Sequence, residues 1–197
     1  MFEPNRKIYK QMEILARKLK GVYEISLNPY KDNRGFFMRT FDYEVFKNAG
    51  LDRKWVQENH SRSEKKGIIR GLHFQLNPFS ETKLVRCIKG AILDVFVDLR
   101  IDSKTFGNWD SIELSSENKK MIFIPRGFAH GFCTLTETSE VVYKVDNFYS
   151  KQYERGVLWN DPDLGINWPV KEPILSEKDR NNLTLKEFIT ENRLLKK

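Results

Sequence analysis

Ala91-Ile-Leu-Asp-Val-Phe-Val-Asp-Leu99 alternates as a β-strand does. Leu93, Val95, Val97 and Leu99 share one face, and Ile92, Asp94, Phe96 and Asp98 share the other. Around it, from Val22 to about residue 150, lie more short apolar or alternating runs cut by turn residues. They include Val22–Leu27, Ile68–Gln75, Leu84–Lys89, Trp109–Leu114, Met121–Ile124 and Val141–Tyr149. Many short strands at this spacing predict an all-β sandwich or barrel.

Helices are expected only around this core. Residues 5–19 place Ile8, Met12 and Leu15 at helical spacing between Pro4 and Gly21. A second helix is expected over 42–49, with Asp42 as N-cap and Gly50 as stop, and a last one from Thr184, where Thr-Leu-Lys-Glu reads as a capping box. With no repeat, low-complexity segment or linker, the chain reads as one domain. It comprises a helical N-terminal extension (1–20), a β core (21–170) and a C-terminal helical segment (171–197).

The 197 residues suffice for one sizeable core. A formal charge of +7 points to an anionic partner such as nucleic acid, anionic lipid or a phosphorylated small molecule. The basic residues are scattered and no zinc-finger spacing occurs, which argues against nucleic acid. Cys87 and Cys133 sit inside apolar runs, as buried reduced thiols do. No leader-like apolar run opens the sequence and no stretch approaches the roughly 18 apolar residues of a membrane span. A cytoplasmic protein without a membrane partner is expected.

Three histidines occur, His60, His73 and His130. His73 lies two residues after a glycine in Arg70-Gly-Leu-His-Phe-Gln75, a pattern that lets a ligand or another backbone approach a strand; a hydrogen-bonded core histidine is the other reading of a lone residue of this type. His130 ends the Pro/Gly-bounded turn Pro125-Arg-Gly-Phe-Ala-His-Gly131. A metal site of the His-x-His type is not predicted, because Gln75 stands where the second histidine is needed. Lys83 shares strand parity with Val85 and Cys87, so it points inward or snorkels from a strand end. An inward ammonium requires an anionic ligand or a developing oxyanion. Tyr143 and Tyr149 share parity on one run, as proton donors, stacking surfaces or core aromatics. Arg34 lies in the turn Asp32-Asn-Arg-Gly35, placed either for a phosphate or simply for solvent.

Taken in order, several motifs resemble the dTDP-4-dehydrorhamnose 3,5-epimerase family. They are Asp32-Asn-Arg-Gly-Phe-Phe37, Glu58-Asn-His-Ser-Arg-Ser63, Arg70-Gly-Leu-His-Phe-Gln75, Lys83-Leu-Val-Arg86 and Thr105-Phe-Gly-Asn-Trp109. Pro125-Arg-Gly-Phe-Ala-His-Gly-Phe132, Val142-Tyr-Lys144, Trp159-Asn-Asp-Pro-Asp163 and Ile174-Leu-Ser-Glu-Lys-Asp179 follow. The resemblance spans about Lys20 to Phe188 and implies a jelly-roll (cupin-like) β-barrel; the short peripheral helices read above flank it at its N- and C-terminal ends, and the leading one, 5–19, is extra relative to a typical member. It further implies a homodimer, a nucleotide-sugar substrate, and neither metal nor organic cofactor.

By the same resemblance, His73 is the base next to the ketone, oriented by Asp179. Tyr143 is the acid on the opposite face, Lys83 stabilises the enolate oxygen, and Tyr149 stacks on the nucleotide base. Arg34, Gln57, Asn59, Arg70, His130, Glu154 and Lys178 match substrate-contacting positions. The chemistry is coherent: a C4 ketone acidifies the hydrogens on C3 and C5, an imidazole suits their abstraction, and a buried ammonium suits the growing negative charge. The substrate expected is dTDP-4-dehydro-6-deoxyglucose, converted to dTDP-4-dehydrorhamnose.

Two features pull against the simplest reading. Arg70 and His73 are three apart, so strict alternation sends them to opposite faces unless Gly71 hosts a bulge. Arg39 stands where the family usually has a substrate-contacting glutamate, and an arginine accepts no hydrogen bond. Arg39 therefore keeps open a relative that uses another nucleotide (GDP or CDP) or another sugar, or that inverts one carbon. A non-catalytic or metal-binding jelly roll is the alternative from another class.

Overall fold

The computed structural model describes residues 6–9 and 11–194. Strands β1 (Arg6–Tyr9), β2 (Met12–Ala16) and β3 (Tyr23–Leu27) lead into a small hairpin, β4 (Tyr30–Asp32) and β5 (Gly35–Phe37), and helix α1 (Tyr43–Ala49). Next come β6 (Gln57–Ser63), β7 (Ile69–Gln75), β8 (Lys83–Lys89), β9 (Ala91–Asp98) and β10 (Trp109–Ser115). Then follow β11 (Lys120–Ile124), β12 (Phe128–Thr134), β13 (Ser139–Val145), β14 (Glu154–Gly156) and helices α2 (Glu177–Arg180) and α3 (Leu185–Leu194).

The strands form a jelly roll of two antiparallel sheets. The larger has the order β1-β2-β3-β11-β8-β13-β6 and the smaller β10-β9-β12-β7-β14. They stack as a sandwich rather than closing into one ring, so β6 ends the larger sheet and β14 the smaller. Between them lies the central core, where Ile92, Phe96 and Phe132 of the smaller sheet meet Val85, Ile122 and Val141 of the larger.

Both outer faces are covered too. Leu93, Val95 and Val97 of β9 pack under the C-terminal segment, with Leu164, Leu185 and Phe188. Strand β9 is therefore apolar on both faces because both are buried. Its two aspartates are the exceptions that need partners. Helix α1 covers the larger sheet, pressing Phe46 onto Met12, Ile14 and Phe123. As expected, Asp42 caps α1 by accepting from the Val45 N–H, and Gly50 ends it in the left-handed region at φ 78°. The capping box at Thr184 also forms, since Glu187 accepts from the Thr184 N–H at 2.8 Å and Thr184 Oγ1 accepts from the Glu187 N–H at 3.3 Å.

Among the described residues of 5–19, which leave out 5 and 10, the expected helix is not there. Residues 6–9 and 12–16 are paired strands, and β2 continues onto β3 with Met12 opposite Leu27 and Ile14 opposite Ile25. Met12 and Ile14 are buried while Glu13 and Leu15 are only partly so, a period of two. Three apolar residues at helical spacing did not outweigh the edge of β3, which offers β2 both hydrogen bonds and an apolar bed under α1. The segment thus belongs to the larger sheet.

The parity conflict on β7 is resolved by an irregular register. His130 faces His73, yet Phe132 faces Arg70, so β7 carries one more residue than β12 between these pairs. The extra residue falls at Gly71–Leu72 and turns Arg70 and His73 to the same side. Gly71 has φ 118°, and a Cβ there would lie 2.6 Å from Gly131 Cα and 2.7 Å from the His130 carbonyl oxygen. Gly71→Ala is therefore expected to cost about 2–4 kcal/mol, from backbone strain and overpacking, read as a lowered urea midpoint.

Asp98 is fully buried at the end of β9. Burial alone would raise its carboxyl. Hydrogen bonds from Arg100, Ser103 and Thr105 and from the Arg100 N–H overcome this and hold it at about 2, against an ordinary 3.8. A carboxyl lowered on folding stabilises the protein above its unfolded value and loses that contribution as pH falls through the folded one. Asp98→Asn is expected to cost about 2 kcal/mol at neutral pH. The gap to wild type should narrow as pH falls below about 4, checked by urea unfolding at several pH values.

Candidate active site

A cavity of about 480 Å³ opens at one end of the sandwich, lined from both sheets. The smaller sheet contributes His73 and Gln75 from β7 and Glu154 from β14. The larger contributes Gln57 and Asn59 from β6, Lys83 from β8 and Tyr143 from β13. Tyr149 lines the rim. It lies beyond β13, which stops at Val145 rather than running on to Tyr149 as the sequence suggested.

His73 Nε2 is hydrogen-bonded to Asp179 Oδ1, a contact between residues 106 apart in the chain. Asp179 is buried in α2, where Ser176 Oγ accepts from its N–H at 3.1 Å. Burial would raise this carboxyl, but its bonds to His73, Ser176 and the Gly71 N–H lower it below the ordinary range. A carboxylate only accepts, so Nε2 carries the proton and Nδ1 is the basic nitrogen.

Lys83 reaches Glu81 Oε1 at 3.3 Å, and its Nζ donates to the His73 carbonyl oxygen at 3.4 Å. The Tyr143 phenol is raised above its ordinary value, by burial first and then by the charge of Glu81. It keeps its proton at neutral pH, as an acid must. On the rim, Tyr149 Oη donates to Glu154 Oε2 at 3.0 Å, and Lys178 pairs with the other oxygen of Glu154. These bonds lower the Glu154 carboxyl against the burial that would raise it. Gln57 Nε2 donates to Asn59 Oδ1 at 2.8 Å.

The remaining candidates lie elsewhere. Arg70 turns toward β6, donating to Ser63 Oγ at 3.2 Å and to the Arg62 carbonyl. His130 is buried beside His73 in the sheet and bonds Asp94 Oδ2 at 2.9 Å; it does not line the cavity. Arg34 pairs with Asp32 on the exposed hairpin, and Arg39 pairs with Asp42. Neither arginine lines the cavity of its own chain. Among the described residues, no group of three or more His, Cys, Asp or Glu is placed to hold a metal.

Sequence reading missed Glu81 as a cavity residue, and it treated Gln75 only as a missing metal ligand. Both line the cavity. Glu81 lies two residues before β8, outside the strand pattern that singled out Lys83.

The family model described as dTDP-4-dehydrorhamnose 3,5-epimerase matches residues 16–187. A dTDP-4-dehydrorhamnose 3,5-epimerase of Shigella flexneri is 49% identical over 86% of this chain and 94% of its own. The crystal structure of the Bacillus anthracis 3,5-epimerase with TDP and PPi bound superposes with a TM-score of 0.87 at 45% identity, covering 88% of this chain and 99% of that one. That of the Legionella pneumophila 3,5-epimerase, in complex with dTDP-4-keto-L-rhamnose, gives 0.86 at 38% identity, over 91% and 96%. The shared sequence and the shared jelly roll make one statement: this chain belongs to the dTDP-4-dehydrorhamnose 3,5-epimerase family of isomerases.

Proposed function

We propose that the protein inverts C3 and C5 of dTDP-4-dehydro-6-deoxyglucose, producing dTDP-4-dehydrorhamnose. The observation that carries this reading is a base and an acid supplied to one cavity by facing sheets, His73 with Asp179 from one side and Tyr143 from the other, with Lys83 beside them. His73 Nδ1 takes the proton from carbon, and the C–H electron pair moves into the ketone to form an enolate. The Lys83 ammonium stabilises the enolate oxygen at C4. Tyr143 then gives its proton to the opposite face of the same carbon, which inverts it. Solvent returns a proton to Tyr143 and removes one from His73. A shift or flip of the ring presents the second carbon to the same groups. No metal or organic cofactor takes part in this reading.

In this reading Tyr149 stacks on the nucleotide base, and Lys178, paired with Glu154 on the rim, contacts the substrate. The chain works as a homodimer. Arg34 lies outside its own cavity on a hairpin whose Phe36 and Phe37 are 55% and 64% exposed. In this reading that hairpin and Arg39 complete the site of the second copy. Cys87 and Cys133 are buried free thiols, in keeping with a cytoplasmic enzyme. Among the described residues no helix is long and apolar enough to cross a membrane.

The test is NMR of dTDP-4-dehydro-6-deoxyglucose incubated with the protein in D₂O without added metal. Deuterium at both C3 and C5 with inversion is expected. Deuterium at one carbon would make it a single-site epimerase. No exchange with dTDP, GDP or CDP sugars would leave a binding role.

A further inference from the structure

We propose that Glu81 is a positioning residue for this reaction, its carboxylate holding the Lys83 ammonium where the enolate oxygen forms. The inference rests on the epimerase reading above. Glu81 and Lys83 both line the cavity, with side chains only 13% and 10% exposed. Oε1 of Glu81 is 3.3 Å from Lys83 Nζ, while Oε2 accepts from Gln75 Nε2 at 2.5 Å.

Gln75 is itself fixed. Its Nε2 also lies 3.1 Å from the carbonyl oxygens of Phe79 and Phe148, so its two hydrogens are shared among these and Glu81, and its Oε1 accepts from the Ser150 N–H at 2.6 Å. The carboxylate is thereby tied to β7 and to the segment after β13, and it cannot follow a wandering lysine. Lys83 needs such an anchor. Its stem has four rotatable carbons, its contact to the His73 carbonyl is long at 3.4 Å, and a buried ammonium without a counter-charge is costly. Electrostatic stabilisation of an oxyanion depends on a donor already in place when charge develops. Glu81 also raises the Tyr143 phenol, so an effect through Tyr143 must be separated from one through Lys83.

Solvent-deuterium exchange at C3 and C5 separates them, with dTDP affinity measured alongside by calorimetry. Glu81→Leu should slow exchange by about 10- to 100-fold, as expected for a displaced catalytic group. The factor should be equal at both carbons, because both enolates place their charge on the same C4 oxygen. Affinity for dTDP should stay within about twofold, since ground-state binding is untouched. Glu81→Ala carries the same expectation should the leucine variant not fold. Glu81→Gln, which keeps one acceptor for the ammonium but not the counter-charge, should recover part of the loss. In a Lys83→Gln background, Glu81→Leu should add nothing.

Wild-type exchange in Glu81→Leu or Glu81→Ala, unequal losses at the two carbons, no recovery in Glu81→Gln, or an undiminished effect in the Lys83→Gln background would each overturn the proposal. A wild-type protein that exchanges neither carbon would instead defeat the epimerase reading itself.

Discussion

His73→Gln is expected to slow deuterium exchange at both C3 and C5 by about 10³- to 10⁴-fold, the upper range for removing a general base. Both carbons should suffer because one imidazole serves both. Glutamine is the informative replacement. Its amide nitrogen reaches about the position of the imidazole Nε2 and still offers an N–H to Asp179, so the buried carboxylate is not left without a partner, which would itself cost about 1–3 kcal/mol. The urea midpoint should stay close to wild type, and the lost rate can then be assigned to chemistry rather than folding. Loss of exchange at only one carbon would mean that a second base works at the other. Full activity in this variant would remove His73 from the mechanism altogether.

Tyr143→Phe should separate the two halves of the reaction. The phenol is held protonated by burial and next by Glu81, so wild type has a proton ready on the face opposite His73. Phenylalanine keeps the ring that packs against the central core and removes only that proton. Abstraction by His73 should continue, and the enolate should recover deuterium from the face it left. The expected product is labelled substrate of unchanged configuration, with inversion reduced by about 10²- to 10⁴-fold. NMR of the D₂O reaction reads label and configuration together. Inversion at the wild-type rate would show that another group, or water, is the acid.

How far the sequence reached differs from element to element. Helix α1 was legible end to end, because Asp42 and Gly50 act within one turn of the residues they cap. The strand over 91–98 was legible for the same reason, since alternation is a relation between next neighbours. His73, Lys83 and Tyr143 could be singled out from the residues as candidates. Their roles, and the link from His73 to Asp179, came from resemblance.

What local pattern alone did not settle was which backbone meets which. Residues 12–16 became a strand because the edge of β3 was available to them. Arg70 and His73 came to one side because close packing of β7 on β12 at Gly71 leaves room for an extra residue and no side chain. Glu81 joined the site because Gln75, from another strand, turns it toward Lys83. The sequence by itself determined the alternation, the caps and the residue types able to do the chemistry, all interactions between near neighbours. Only the tertiary structure decided the register of β7, the strand at the N-terminus and the neighbours of Lys83. Those depend on contacts between distant segments, whose free energy appears only once the sheets have closed on each other.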